Sequence, residues 1–224
     1  MRRFAYPDAP HPVREDVVAA QRAVWEALAR PGSRWTGAER VALAEQVRES
    51  RRRRMDPPWL REGLPDDDGL PKAAIEAARA IAADAHKIDR AWAGQKVESL
   101  GDAGYVEIAA LAASLCAIDT FADALGVAYE PLPEPFAGEP DGERNPEAVD
   151  AGAYVPLHEP WQGPNVARAL SLVPGQNAMF FGLVASMYGG PQGFFELVWR
   201  DGPLSRPQAE LLAARVSSVN ECFY

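Results

Sequence analysis

Cysteine and histidine are scarce in this chain. Cys116 and Cys222 are its only thiols, they sit in unlike settings, and two such residues build no disulfide framework. A reducing, cytoplasmic location is expected. His11, His86 and His158 lie far apart with no i, i+4 partner and no acidic cluster beside them, so neither a metal site nor a cofactor is expected. Positive charge is also in deficit. With 23 Lys and Arg against 32 Asp and Glu the net charge is -9, which argues against nucleic acid and anionic membrane as main partners. The arginines at 51–54 are the exception, and they are expected to form the solvated end of a helix, where cations suit the exposed carbonyls.

Long apolar runs are missing too. The longest uncharged stretch, Ala169 to Phe195, is broken by Pro174, Gly175, Gln176, Asn177, Gly189, Gly190 and Pro191, so it does not read as a membrane span. The opening MRRFAYPDAP has two arginines but no apolar run after them, and no secretory signal is expected from it. Period-two alternation of useful length does not occur, which leaves little for a sheet.

Helical periodicity fills the space. At 224 residues and 47% apolar composition the chain can bury a real core. From Arg14 to Ala29 the apolar Val17, Val18, Ala20, Val24 and Leu28 recur at three to four, and Pro31-Gly32 end the run. Thr36 and Glu39 form a capping box before a second helix that reaches the arginine cluster. A third helix is expected from Lys72 to about Asp84, a short fourth within KIDRAWAGQKVESL, and a fifth that Asp102 caps and Gly126 ends. Between residues 127 and 164 the character changes to acidic residues and proline, eight prolines from Pro131 to Pro164, which reads as a linker or an extended wrap. Beyond it a short helix is expected from Asn165 to Val173, an apolar one around Met179 to Tyr188, and a last one from Arg206, with Ser205 capping and Gln208 replying. The expected fold is all-α, with helical blocks over 1–126 and 165–224 joined by the proline-rich segment.

The last helix carries the chemistry. Leu212, Val216, Val219 and Phe223 fall on one stripe, while Glu210, Ser217 and Glu221 share another face, so this helix is expected to be amphipathic and half buried. Cys222 comes at or just past its end. A lone cysteine is ordinarily an incidental thiol and Cys116, between Leu115 and Ala117, a small core residue.

The stretch LSRPQAELLAARVSSVNECFY resembles the lead-in to the active site of the alkylhydroperoxidase D and carboxymuconolactone decarboxylase-like family. That signature is an acidic residue on a helix, then C-x-x-C, then a histidine four residues on. By the resemblance Cys222 takes the place of the first cysteine and Glu210, twelve residues earlier, that of the proton-relay glutamate. Tyr224 falls between the cysteines, where such proteins can carry a histidine, and Glu221 is a further accessory candidate. The resemblance extends to LPKAAIEAARAIAADAHKIDRAWAGQKVESLGDAGYVEIAALAASLCAIDTFADALGV and to PNVARALSLVPGQNAMFF, and so to most of the chain.

What the resemblance implies is a helical bundle whose last core helices, second cysteine and histidine would follow Tyr224. Members similar to this group include selenoproteins, and the selenocysteine codon is also a stop codon. The expectation is an unrecoded selenocysteine after CFY, with a frameshift, a designed boundary or a natural end as rivals. The implied activity is thiol- or selenol-dependent reduction of a hydroperoxide, with Cys222 resolving and Glu210 moving the proton. The implied partners are the hydroperoxide, a thiol or dithiol reductant protein, and further copies of the chain. These 224 residues alone are expected to turn over little or no peroxide. A lyase of the decarboxylase branch and a non-catalytic helical oligomer stay open as alternatives.

Overall fold

The computed structural model describes residues 3–57, 60, 69–188, 196, 198–199 and 203–221. Over these residues the chain is all-α. Seven α-helices follow in order: α1 (Glu15–Ala29), α2 (Gly37–Arg52), α3 (Lys72–Ala83), α4 (Arg90–Leu100), α5 (Asp102–Leu125), α6 (Pro174–Met187) and α7 (Arg206–Val219). The only strands among the described residues, β1 (Ala148–Val149) and β2 (Leu157–His158), pair antiparallel with Ala148 opposite His158.

Local signals set most helix ends. Thr36 Oγ1 accepts from Glu39 N–H at 3.3 Å while Glu39 Oε2 accepts from Thr36 N–H at 2.8 Å, so two otherwise unpaired donors are satisfied at the start of α2. Asp89 accepts from Trp92 N–H at 2.8 Å and opens α4. Gly126 ends α5 in the left-handed region at φ 68°, a conformation that a side chain resists.

Four expectations need correction. Asp102 is the first residue of α5 and follows the cap, Gly101; its carboxylate accepts from Ala103 N–H and pairs with Arg144 at 2.7 Å. Residues 165–173 form no α-helix but a short 3₁₀ turn over Asn165–Arg168, because Asn177 reaches back to bond Leu170 N–H and Ala167 C=O instead. The apolar helix expected around Met179 to Tyr188 starts earlier, at Pro174, where the missing N–H costs nothing. The arginine cluster is only partly solvated, since Arg51 turns inward toward Asp119 at 3.7 Å and Asp123 at 3.4 Å.

α5 is the centre of the molecule. It is long and apolar enough to cross a membrane by composition, yet here α2, α3, α4 and α6 pack around it. Its buried faces meet Trp25, Leu43, Ile75 and Leu183, drawn from four other helices, in one core. Helix α6, on the far side of the proline-rich segment, therefore shares a core with α1 and α5. The intervening segment lies across the helices, held by Trp25 Nε1–H to Pro131 C=O at 2.9 Å, Phe136 N–H to Ala29 C=O at 2.7 Å and Asn145 N–H to Leu172 C=O at 2.8 Å.

Two buried ion pairs join α2 to α5. Arg40 meets Glu107 with both side chains out of solvent, and Glu107 Oε2 also accepts from Arg34 N–H at 2.7 Å. Taking both charges out of water costs desolvation, which their attraction and the Arg34 bond offset, while Arg40 Nε has no partner among the described residues. Gly32 lies against this pair, and a Cβ there would collide with Glu107 Oε1 and Arg40 Nη1. The second pair, Arg48 with Asp119, is bidentate.

Candidate functional site

Helix α7 presents the residues that the sequence singles out. Ser205 donates through both its N–H, at 2.9 Å, and its hydroxyl, at 3.0 Å, to Gln208 Oε1, which fixes where the helix starts. Glu210 follows one turn in. Its Oε1 lies 2.5 Å from Nε of Arg206, four residues earlier on the same face.

Arg206 is itself held. Its guanidinium carbon lies 5.2 Å from the ring centroid of Tyr188 and 5.2 Å from that of Trp199, and Nη1 donates to Glu196 C=O at 3.1 Å. Flanked by two ring faces, the cation loses freedom and gains attraction from both. Glu210 thus hangs on a fixed base while remaining open to solvent.

The far end of α7 has its own geometry. Asn220 caps the helix, and Glu221 takes φ 54°, left-handed backbone that is uncommon outside glycine. Cys222, Tyr224 and Phe223 lie outside the described residues, as do Phe194 and Phe195.

The stripe of α7 does not behave as expected. No residue of this helix is buried, and Leu212, Val216 and Val219 are 57%, 59% and 64% exposed. The reason is position: α7 stands outside the core that α5 organises, so its apolar face has no cover within the described residues. The i, i+4 spacing of Arg206 and Glu210 was readable in the sequence. Its aromatic flanks, 18 and 7 residues away in the chain, carried no local signal.

The second thiol differs in kind. Cys116 packs against the core from α5, and burial pushes its pKa up to about 11, with Arg51 opposing the rise. A thiol that stays protonated is a poor nucleophile. His158 is not isolated: its Nδ1 lies 3.2 Å from Asn145 Nδ2 and 3.6 Å from Glu147 Oε2. The amide is oriented by Glu147 N–H on Oδ1 and Ser171 C=O on Nδ2, so Nδ1 accepts from Asn145 and the neutral ring carries its proton on Nε2. Arg90, beside Asp89, donates to the Gly152 and Ala153 carbonyls.

No family model, no curated protein and no solved structure matches this chain.

Proposed function

We propose that this chain serves a thiol- or selenol-dependent hydroperoxide reductase of the alkylhydroperoxidase D-like kind, acting in the cytoplasm. Cys222 is the resolving sulfur and Glu210 the proton carrier. The observation that supports the reading is the layout of α7: an acidic side chain held near its start by Arg206, and a left-handed residue, Glu221, at its end, next in sequence to Cys222.

The chemistry balances as follows. A thiolate or selenolate, three positions beyond Cys222 in the motif, attacks the terminal, hydroxyl-bearing oxygen of the hydroperoxide, breaks the O–O bond and keeps that OH as a sulfenic or selenenic acid. The alkoxide leaves and takes a proton, which Glu210 relays. Cys222 then condenses with the oxidised chalcogen, water departs, and a dithiol reductant protein restores the pair by exchange. Along a helix twelve residues rise about 18 Å, so Glu210 serves the pair only across a returning segment. The uncovered stripe of α7 supports cover by another polypeptide surface, and with it the homo-oligomer in this reading.

The test is hydroperoxide consumption coupled to a dithiol reductant, run on these 224 residues and on a longer version that carries the complete motif, the second cysteine or selenocysteine and the histidine. Turnover by the longer version that disappears in Cys222→Ser is the expected result. A Cys222→Ser protein as fast as its parent, or a longer version that turns over no hydroperoxide, overturns the reading.

A further inference from the structure

Far from α7, the N-terminal arm closes over the C-terminal half of α5 and leaves a cavity of about 340 Å³ beneath it. This is within the size range of small-ligand sites, roughly 300–1,000 Å³. Its floor is Ile118, Asp119 and Ala122, and it opens to solvent past the exposed Ala5, Pro7 and Ala128.

The walls are aromatic and the charges are of one sign. Phe4, Tyr6 and Tyr129 supply three rings. Phe4 is buried, packed edge-on against Trp25 at 4.9 Å between centroids, and Tyr6 stands against Phe121 at 5.8 Å. The arm is held from both directions: Phe4 N–H donates to Glu130 Oε2 at 2.9 Å, and Tyr6 O–H donates to Gln21 Oε1 at 2.6 Å. The walls are thus fixed before any ligand arrives, which lowers the ordering cost of binding.

Asp8, Asp119 and Glu130 are the charged residues of the lining, and among the described residues no lysine, arginine or histidine joins them. Arg48 and Arg51 reach Asp119 from α2 without lining the cavity, and Arg48 also lies over the Tyr129 ring and donates to Glu130 C=O, so the Asp119 charge is offset where it stands and the Glu130 and Asp8 carboxylates and the Phe4 and Tyr6 rings are what is left for a cation. No ion pair to Asp8 or Glu130 is present among the described residues. Burial raises the Tyr6 phenol to about 12, against the opposing Gln21 bond, and the charges of Glu130 and Asp119 add to the rise.

We propose that this cavity binds a small organic cation, a primary ammonium on an aryl or alkyl body, with the ammonium at Glu130 and Asp8 and the body against the three rings. Carboxylate and ring face both favour a cation, and the apolar floor favours an ammonium with a hydrophobic tail over a metal ion. The site is independent of the peroxidase reading, because α7 contributes nothing to it.

The test compares three probes of one shape: 2-phenylethylammonium, neutral 2-phenylethanol and anionic phenylacetate. Each is titrated into the 224-residue protein and followed by calorimetry and by backbone amide shifts. The ammonium is expected to bind one to one, moving amides of residues 4–8 and 127–131, with the alcohol at least about tenfold weaker and the anion weaker still. Glu130→Gln keeps the acceptor for Phe4 N–H while removing the charge, and is expected to cost about tenfold in affinity. Asp8→Asn, at an exposed position, is expected to cost less and serves if the first variant folds poorly. The proposal falls if the alcohol binds as tightly as the ammonium, if the shifted amides lie elsewhere, or if both variants bind as the parent does.

Discussion

Arg48 closes on Asp119 through two hydrogen bonds, Nε to Oδ2 at 3.0 Å and Nη2 to Oδ1 at 2.8 Å, across 71 residues of chain. The same guanidinium donates to Glu130 C=O at 2.9 Å and lies over the rings of Trp25 and Tyr129. One cation therefore ties α2, α5, α1 and the start of the proline-rich segment together. Cutting Asp119 to alanine leaves that charge buried without its partner, and is expected to cost about 3–5 kcal/mol. Urea unfolding measures it. A loss below about 1 kcal/mol would mean that the pair behaves as a solvated surface contact.

Gly32 predicts a second sensitivity. The space where its Cβ would lie is taken by Glu107 and Arg40, neither of which can withdraw without breaking a buried pair. Gly32→Ala is expected to destabilise by about 1–3 kcal/mol through overpacking, read from the same unfolding curves. Gly94 has nothing near its own Cβ position, so Gly94→Ala, in the interior of α4, is the control expected to be neutral or stabilising.

Alkaline pH should weaken the fold in a defined window. Cys116 has its pKa raised from 9.0 to about 11 by burial, and Tyr6 from 10.0 to about 12, again chiefly by burial. Both are neutral when protonated, and the folded state holds those protons more tightly than the unfolded one. Their contribution is complete below about pH 9 and is lost progressively as pH rises to 11 and 12. Unfolding midpoints measured from pH 8 upward should fall through that window, and Cys116→Ala should flatten the part between 9 and 11. A midpoint insensitive to pH across it would contradict the assignment.

How much of this was readable in advance depends on distance along the chain. The capping boxes at Thr36/Glu39 and Ser205/Gln208 and the stop at Gly126 lie within single turns, and sequence spacing located all three. The start of α6 was placed near Met179 and not at Pro174 because a proline at the first helical position also reads as a break in the pattern. The turn at 165–168 was misread because Asn177, not local propensity, satisfies that backbone. For the candidate site, Arg206 beside Glu210 was legible as an i, i+4 pair. The Tyr188 and Trp199 flanks, the Arg48–Asp119 lock and the cavity under Phe4 and Tyr6 join residues remote in sequence, and no periodicity encodes such meetings.

The exposed stripe of α7 separates stability from assembly. Leu212 and Val216 touch no core, so replacing both by serine is expected to change the unfolding free energy by less than about 0.5 kcal/mol. If the stripe is covered by another copy, sedimentation velocity should show the parent heavier than the variant at equal concentration. Identical sedimentation of the two would remove this stripe from any assembly.

Glu210 offers the sharpest division between a structural and a chemical role. Its pair with Arg206 is solvent-exposed on the carboxylate side, and exposed i, i+4 pairs contribute about 0.3–0.5 kcal/mol. Glu210→Gln keeps the shape and a hydrogen-bond acceptor for Arg206, so its stability should match the parent within that margin. A proton carrier cannot be replaced so cheaply: removing one typically lowers turnover by about 10²–10⁴-fold. On the proposed reading, a longer version of the chain that carries the complete motif is expected to lose hydroperoxide turnover in Glu210→Gln with its KM little changed, and to show an altered pH profile. If turnover and pH profile both survive, Glu210 is a surface charge anchored by Arg206, and the proton reaches the leaving alkoxide by another route.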